Sequence, residues 1–314
     1  MPDALLVTGA TGFVGRHLVP MLADEGYEVR AAVRSQPALP LDPRATCVVI
    51  GDLSGTTSWD EALVGVKAVI HLAGKAHTIV DPATNPWPEY ERVNTQATLG
   101  LAKACAERGV RLVFLSSVKA MGEGGEVPYT ASTPCRPEGV YALSKRRAEE
   151  GIAELIASSK LEAAILRPPL VFGPGVKANF RRLLGVAAKE WPMPLGGICN
   201  LRSLVHLDSL CSACLLLATH PKAPGRTYLI KDGDLSTPDL LRALARGKAR
   251  LLPIPVRLLR LAGLVFGRGQ EVDRLVSSYT VDDSDLRALG WLPARPLEAS
   301  LRDTARWYQE AQAR

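Results

Sequence analysis

Short apolar runs alternate with segments of helical periodicity through the first half of the chain. Residues 4–7 form a continuous apolar run, and Leu18, Val19 and Leu22 follow at helical spacing within residues 16–25. Repeated strand and helix units of this kind are typical of an α/β protein with a doubly wound parallel sheet. The same pattern predicts strands at 28–33, 47–50, 68–71, 111–115 and 162–166, and helices at 93–108 and 141–157.

The pattern changes after Arg167, where proline, glycine and arginine become frequent and the periodic stretches become shorter. We assign residues 1–170 to one domain, built on the predicted sheet, and residues 171–314 mainly to a smaller C-terminal lobe. This lobe is expected to cover the edge of the sheet at which ligands bind. The chain is expected to return to the sheet within residues 204–232, through strands at 204–207 and 227–230.

The sequence TGATGFVG at residues 8–15 lies between the first predicted strand and the first predicted helix. Gly9 suits a tight turn, Gly12 lets the main chain approach a diphosphate, and Gly15 lets the helix lie close to the strand. The free N–H groups at the helix N-terminus attract phosphate. The spacing therefore predicts a Rossmann-type cofactor-binding turn, and residues 1–170 are expected to form a dinucleotide-binding domain. Its predicted cofactor contacts are Gly9, Thr11, Gly12, Phe13, Val14 and Gly15.

The ends of the following strands predict further cofactor contacts, because parallel strands end at one ligand-binding edge. The second strand ends at Arg34 with no acidic residue. An acid at this position binds a ribose, whereas an arginine pairs with a 2′-phosphate. Arg34 therefore favours NADP(H) and leaves NAD(H) as the alternative. The third and fourth strands supply the other predicted contacts, Asp52, Leu53, Leu72, Ala73 and Gly74.

Three side chains with acid–base chemistry follow the fifth predicted strand. Ser117 lies at the end of this strand, and Tyr141 and Lys145 lie one turn apart on one face of the next helix. A phenol has a pKa of about 10, and a nearby ammonium lowers it. We therefore predict that Tyr141 exchanges a proton with a substrate oxygen, that Lys145 lowers its pKa, and that Ser117 orients the oxygen during hydride transfer.

The composition of the 314 residues, with 47% hydrophobic and 22% charged, is that of an ordinary globular protein. The net charge of +6 comes from scattered basic residues without a nucleic-acid-binding motif. We therefore expect a small anionic ligand and no nucleic acid. The six cysteines lack a disulfide or zinc spacing, so no metal is expected.

Two features bear on the cellular compartment. No signal peptide is recognisable, so we expect a cytoplasmic protein. The apolar window at residues 251–266 is interrupted by Arg257 and Arg260 and is too short to cross a bilayer. We interpret it as an amphipathic helix packed on a lobe, and expect no membrane partner.

With these motifs in place, nearly the whole chain resembles the extended short-chain dehydrogenase/reductases, in particular their nucleotide-sugar epimerase, dehydratase and reductase branch. Besides the turn at 8–15, the resemblance rests on Asp52-Leu53, on HLAG at 71–74, on Ser116-Ser117 and on YALSK at 141–145. It also rests on RPPLVFGPG at 167–175, Asp283-Ser284 and Leu289-Gly290-Trp291. It implies a cofactor contact at Pro168, and a homodimer formed through the helices that begin near Val93 and Tyr141.

The resemblance also implies a site for the diphosphate of a UDP-sugar. Asn179, Arg202 and Arg274 match the segments that bind it, and Met193 and Leu195 match the pocket for the base. Dehydratases of this branch carry Thr-Asp-Glu where this chain has Ser117, Val118 and Lys119. The absence of these two acids argues against dehydration. Lys119 is instead expected to contact the substrate. Epimerases of the galactose type usually carry an acidic residue at the end of the second strand, where this chain has Arg34. The absence of that acid favours a reductase.

The sequence leaves two reactions at C4 of a UDP-sugar open. A 4-epimerase returns its hydride to the substrate, whereas a 4-keto-sugar reductase of polysaccharide biosynthesis consumes NADPH. A reductase of a non-nucleotide ketone, such as a steroid or flavonoid, is a further alternative, but it would leave Asn179 and Arg202 without a diphosphate. The last alternative is a non-catalytic regulator that senses NADP, and the Tyr141–Lys145 pair argues against it.

Overall fold

Seven parallel strands form the central sheet of the protein. The computed structural model describes residues 3–38, 41–76, 85–189 and 191–313. This sheet confirms the predicted doubly wound fold. Its strands are β1 (Ala4–Thr8), β2 (Glu28–Val33), β3 (Thr46–Val49), β4 (Val66–His71), β5 (Arg111–Leu115), β6 (Ala163–Arg167) and β9 (Arg226–Leu229). Their order across the sheet is β3-β2-β1-β4-β5-β6-β9.

Helices cover both faces of this sheet and enclose two apolar cores. Leu18 and Leu22 of the first helix pack with Leu210 and Leu217 on one face. On the other face, Leu101 and Ile152 pack with residues of the strands. The helices of this part are α1 (Gly15–Asp24), α2 (Trp87–Tyr90), α3 (Ala97–Arg108), α4 (Gly139–Ser158) and α6 (Leu207–Thr219), with a π-helical segment at Glu91–Gln96 and a 3-10 turn at Val118–Ala120.

A second, three-stranded sheet lies in the C-terminal part, in the order β10-β8-β7. Its strands are β7 (Leu170–Phe172), β8 (Arg202–His206) and β10 (Gly233–Leu235). Phe172, Phe180 and Leu241 belong to the apolar core beneath it. The helices here are α5 (Ala178–Ala188), α7 (Thr237–Leu244), α8 (Val256–Val265), α9 (Gly269–Val276), α10 (Ser284–Arg287) and α11 (Leu297–Ala313).

The strand expected at 204–207 does not lie in the central sheet. It is part of β8, which pairs with β7 and β10 instead. Two prolines after Arg167 interrupt β6, because proline has no N–H to donate, and β7 then leaves the central sheet and gives β8 a partner. The later strand, β9, does return to the central sheet and pairs with β6. In the part of the chain that the structure describes, no helix has the length and apolar character needed to cross a membrane.

Candidate active site

The glycine turn after β1 is closely packed. Gly9 has a φ of +68°, and a Cβ there would lie 2.7 Å from the backbone nitrogen of Ala73. A Cβ on Gly15 would lie 2.6 Å from Cα of Ala10. The N–H of Gly12 donates to the carbonyl of Gly9 over 2.9 Å. Because no acidic residue occupies the first turn of α1, its positive N-terminus faces this turn uncompensated. The cradle therefore fits the diphosphate of a dinucleotide.

The other residues of the turn surround this cradle. Thr11 is exposed, and its carbonyl accepts a hydrogen bond from Nε of Arg16 over 3.0 Å. Phe13 is half-buried and packs against the apolar core of the C-terminal part. Val14 immediately precedes α1. The turn thus lies at the junction between the two sheets.

Buried hydrogen bonds fix the ends of β1 and β4 next to the cradle. The hydroxyl of Thr8 lies 2.6 Å from Nδ1 of His71, and Nε2 of His71 lies 2.9 Å from the hydroxyl of Thr98. Thr98 donates its own proton to the carbonyl of Asn94 over 2.7 Å. His71 must therefore carry its proton on Nε2 and accept from Thr8 at Nδ1. The hydroxyl of Thr8 in turn accepts from the N–H of Ala73 over 3.3 Å.

Burial, with the nearby positive charge of Lys145 as a smaller cause, lowers the pKa of His71 to about 3. We expect the ring to stay neutral throughout the neutral and mildly acidic range. Because the unfolded chain protonates this histidine near its ordinary pKa of about 6.5, the stability that it contributes is present above that pH and is lost as the pH falls towards 3. In NMR spectra of histidine-labelled protein, the His71 signals should not shift between neutral pH and about pH 5. Titration in that range would contradict its buried, neutral state.

Asn94 connects the β4 loop to the helix that carries the candidate catalytic residues. Its Oδ1 accepts from the N–H of Lys75 over 2.7 Å, and its Nδ2 donates to the carbonyl of Lys75 and to the hydroxyl of Ser144. Ser144 donates to the carbonyl of Tyr141 over 2.8 Å. Asn94 lies in the π-helical segment, and such segments are frequent at functional sites. The sequence analysis predicted an ordinary helix from residue 93, not a π-helical segment.

Lys145 is almost fully buried beneath the β4 loop. Its Nζ donates to the carbonyl of Leu115 over 3.0 Å and lies 4.6 Å from the ring centroid of Phe114. Burial lowers its pKa to about 8, while Glu149 acts in the opposite direction. A Cβ on Gly74 would lie 3.1 Å from this Nζ, so the loop and the amine are in close contact. The structure therefore brings Gly74 and Lys145 together.

Tyr141 and Ser117 also lie together. Burial raises the pKa of the Tyr141 phenol, a hydrogen bond with Ser117 lowers it, and Tyr90 raises it further. The rings of Tyr90 and Tyr141 meet edge to face, with 6.4 Å between centroids. The net direction is upward in the protein alone, whereas the sequence analysis expected Lys145 to lower this pKa. Lys145 is held towards the carbonyl of Leu115 instead.

The two adjacent serines after β5 have different surroundings. Ser116 is buried and donates to Glu149 over 2.5 Å, and Arg167 contacts the same carboxylate at 2.8 and 2.6 Å. Ser117 is half-buried and accepts from the N–H of Lys119 over 3.2 Å. Ser116 is therefore occupied in the core, and Ser117 is the serine beside Tyr141. The sequence analysis missed this buried ion pair, because no local pattern links Glu149 to Arg167.

The other residues expected to contact the cofactor follow the ends of neighbouring strands of the central sheet. The Arg34 guanidinium lies 3.9 Å from the Asp52 carboxylate, and both side chains are 80% exposed. The carbonyl of Leu53 accepts from Arg92 over 2.6 Å. Leu72 packs against the core of the sheet. Pro168 is buried, and its carbonyl accepts from the N–H of Val118 over 3.1 Å.

Of the residues expected to bind the diphosphate, two are in direct contact. Nη1 of Arg202 donates to the carbonyl of Arg274 over 2.7 Å, which joins β8 to α9. Burial lowers the pKa of Arg202, and Glu123 and Tyr279 oppose this. Asn179 is exposed in the first turn of α5.

The remaining expected substrate contacts have structural partners. Met193 is buried in the apolar core of the C-terminal part, and Leu195 packs against that core. Nζ of Lys119 pairs with Glu123 at 2.5 Å and lies 5.6 Å from the ring centroid of Tyr279. Within residues 3–38, 41–76, 85–189 and 191–313, no group of three or more His, Cys, Asp or Glu side chains is arranged to hold a metal ion.

The chain is similar to known proteins in sequence and in fold. Residues 5–230 match the sequence model of the NAD dependent epimerase/dehydratase family. The chain is 38% identical to the UDP-glucose 4-epimerase of Vibrio cholerae, over all of this chain and 98% of that protein. It is 32% identical to a dihydroflavonol 4-reductase of Hordeum vulgare, over 76% of this chain and 73% of that protein. The solved structure of MoeE5 in complex with UDP-glucose and NAD matches with a TM-score of 0.74 at 25% identity, covering 99% of this chain and 100% of that chain.

Proposed function

The chain belongs to the NAD dependent epimerase/dehydratase family, and on this premise we propose that it is a 4-epimerase of a UDP-sugar. The observation that carries the proposal is the 38% identity with a UDP-glucose 4-epimerase over the whole chain. A 4-keto-sugar reductase is the second candidate, because β2 ends at Arg34 without an acid. Both reactions exchange a hydride at C4 and a proton at the oxygen on C4.

We propose that the glycine cradle holds the diphosphate of the cofactor. The packing of Gly9 against Ala73 supports this, because any side chain there would displace the loop. The residues proposed to contact the cofactor are Gly9, Thr11, Gly12, Phe13, Val14, Gly15, Arg34, Asp52, Leu53, Leu72, Ala73, Gly74, Tyr141, Lys145 and Pro168. When bound, the nicotinamide supplies a carbon that accepts a hydride from C4 and returns it.

In this proposal Tyr141 takes the proton from the C4 hydroxyl as the carbonyl forms, and gives it back when the carbonyl is reduced. Ser117 holds the same oxygen through its hydroxyl. Because burial raises the pKa of the phenol, an opposing charge is needed for proton exchange near neutral pH. Lys145, one helical turn away on the same face, is proposed to provide that charge in the cofactor complex, while it stays protonated below its pKa of about 8. In the protein alone its amine is held at the carbonyl of Leu115.

Arg34 is proposed to select NADP(H) over NAD(H). Its contact with Asp52 is a long, exposed pair that contributes little, so the guanidinium stays available to a 2′-phosphate. We expect Arg34→Ala to weaken NADP(H) binding about tenfold, the loss of one charge-assisted contact, and to leave NAD(H) binding nearly unchanged. Titration of each nucleotide by calorimetry checks this. Arg306→Ala serves as the matched control, because Arg306 is an exposed arginine of α11 outside the proposed cofactor contacts. Equal losses of affinity for both nucleotides in Arg34→Ala would contradict the proposed role of Arg34.

The substrate diphosphate is proposed to bind Arg202, Arg274 and Asn179, with Lys119, Met193 and Leu195 nearby. The hydrogen bond from Arg202 to the backbone carbonyl of Arg274 supports this, because it holds the Arg202 guanidinium next to Arg274. Arginine suits a diphosphate because its planar fork makes paired, charge-assisted bonds. The helices α3 and α4 are proposed as the dimer interface.

The decisive experiment offers the purified enzyme UDP-sugars and 4-keto UDP-sugars, with and without NADPH. The proposed epimerase should interconvert C4 isomers without net loss of reduced cofactor. Consumption of NADPH in amounts equal to the keto sugar, with no interchange of isomers, would replace the epimerase proposal with the reductase.

The resemblance to dihydroflavonol 4-reductase motivates a third arm of the experiment with a flavonoid ketone. Turnover of that ketone together with no inhibition by UDP would remove the nucleotide-sugar assignment. Absence of turnover on every substrate, with NADP(H) still bound, would leave the cofactor-sensing regulator as the remaining candidate.

A further inference from the structure

Helix α8 presents an apolar face to solvent. Of its ten residues, only Gly263 is buried. The apolar face consists of four side chains of α8 and that of Phe266, which directly follows the helix. All five are between 55% and 77% exposed: Leu258, Leu261, Leu264, Val265 and Phe266. The sequence analysis expected this window to pack on a lobe, and the structure corrects that expectation. Only the narrow strip of α8 around Gly263 is buried, and the wider apolar face of the helix is exposed to solvent.

The packing of α8 explains this orientation. A Cβ on Gly263 would lie 2.7 Å from Cγ2 of Val272, so α9 lies close against the line of α8 that contains this glycine. Leu258, Leu261 and Val265 are spaced i, i+3 and i+7, which places them on one stripe of the helix. Within the described part of the chain, none of these three belongs to an apolar core. The apolar face is thus left uncovered by the described residues of its own chain.

The chain around α8 is strongly basic. Between Asp239 and Glu271 there are seven basic residues and no acidic one, while the whole chain has a net charge of +6. The rest of the chain is therefore close to neutral, and the excess positive charge of the protein is concentrated between Asp239 and Glu271. All seven basic residues are exposed, and Arg257 and Arg260 lie on α8 itself. Arg242, Arg260 and Arg268 pair with the acids that border the segment, Asp239, Asp273 and Glu271, so part of this charge is compensated by exposed pairs. An exposed apolar stripe bordered by arginines is typical of helices that lie at the surface of an anionic bilayer.

An exposed tryptophan lies beside the same segment. Trp191 is 65% exposed, with Nζ of Lys189 4.7 Å from its ring centroid. Two residues later, Met193 pairs through its backbone with Arg250 and Leu252. Tryptophan is enriched at the boundary between lipid and water, because its ring is apolar and its N–H is polar. The surface around α8 thus carries apolar, aromatic and basic groups together.

We propose that the apolar face of α8 docks on the surface of a bilayer that contains anionic lipid, with the helix in the plane of the interface. A second copy of the chain is a poorer occupant, because two such faces would bring like charges together. The α8–α9 pair is joined to the substrate side, since Arg202 bonds to Arg274 and Asn200 bonds to Leu275. Docking would therefore place the candidate diphosphate site near the membrane.

The test is co-sedimentation of the full chain with vesicles. We expect binding to vesicles of phosphatidylglycerol mixed with phosphatidylcholine, weaker binding at high salt, and little binding to phosphatidylcholine alone. Leu261→Glu and Arg257→Glu should each weaken binding to the anionic vesicles about tenfold or more. Val127→Glu is the matched control, because Val127 is 76% exposed and lies outside the segment, and it should bind as the unmodified protein does.

Circular dichroism and thermal unfolding would establish that each variant is folded. No binding of the unmodified chain to anionic vesicles, or undiminished binding by Leu261→Glu, would overturn the proposal. A lower molecular mass of Leu261→Glu in light scattering, with no vesicle binding by the unmodified chain, would assign the face to a second copy instead and would also overturn it. Because the readout is lipid binding, the result is independent of the proposed reaction.

Discussion

Replacing Tyr141 with Phe is expected to lower turnover about a hundredfold or more, because the change removes the only group proposed to exchange a proton with the substrate oxygen. The ring itself is retained, so its edge-to-face contact with Tyr90 stays in place. Cofactor binding should change little. The measurement is kcat with the UDP-sugar on which the enzyme is active, together with calorimetric binding of the nicotinamide nucleotide.

Tyr90→Phe is the matched control for this experiment. It removes a second buried phenol within the same ring pair, yet Tyr90 has no proposed part in proton transfer. It should lower turnover far less than Tyr141→Phe. Near-normal turnover of Tyr141→Phe would contradict the acid–base role, and an equal loss in both variants would assign the effect to packing.

Removing the carboxylate of Glu149 is expected to produce the largest loss of stability. Glu149 and Arg167 are 2% and 3% exposed, and the carboxylate also accepts a hydrogen bond from Ser116. Burial lowers the pKa of Arg167, but Glu149 and Cys135 together raise it by more, so the guanidinium stays charged. Glu149→Ala leaves this charge buried without a partner and should lower the free energy of unfolding by about 3–5 kcal/mol. Urea unfolding measures the change.

Two further variants separate this mechanism from a simple loss of packing. Glu150→Ala removes the neighbouring, half-exposed carboxylate that pairs with Arg146, and should lower the free energy of unfolding by about 1 kcal/mol at most. The double variant Glu149→Leu with Arg167→Met removes both buried charges, so it should be more stable than Glu149→Ala. A double variant less stable than Glu149→Ala would contradict the ion-pair explanation.

Much of the fold was predictable because it depends on local patterns. The continuous apolar strands and the helical spacing of Leu18, Val19 and Leu22 predicted the alternating elements, and the central sheet confirms the doubly wound class. The assignment of β8 to the central sheet was wrong. A strand's partners depend on where the preceding segments leave the chain, and the apolar run at 204–207 carries no information on this.

Some features of the candidate site were likewise predictable from local spacing, and others depend on residues distant in sequence. The helical spacing of Tyr141 and Lys145 predicted that they share a face, and the structure places Ser117 beside Tyr141. Their catalytic roles remain predictions. The direction of the Lys145 amine could not be predicted, because it depends on the Leu115 carbonyl and the Phe114 ring, which belong to another element.

The amino-acid sequence by itself determined the order of strands and helices, the glycine turn and the family, because each depends on residues close together in the chain. Only the tertiary structure decided that Ser116 donates its hydrogen bond to Glu149 whereas Ser117 lies beside Tyr141, and that the pKa of Tyr141 is raised. It also decided that the apolar side of α8 faces outward. Burial and charge depend on neighbours that are distant in sequence, and these exist only once the chain has folded.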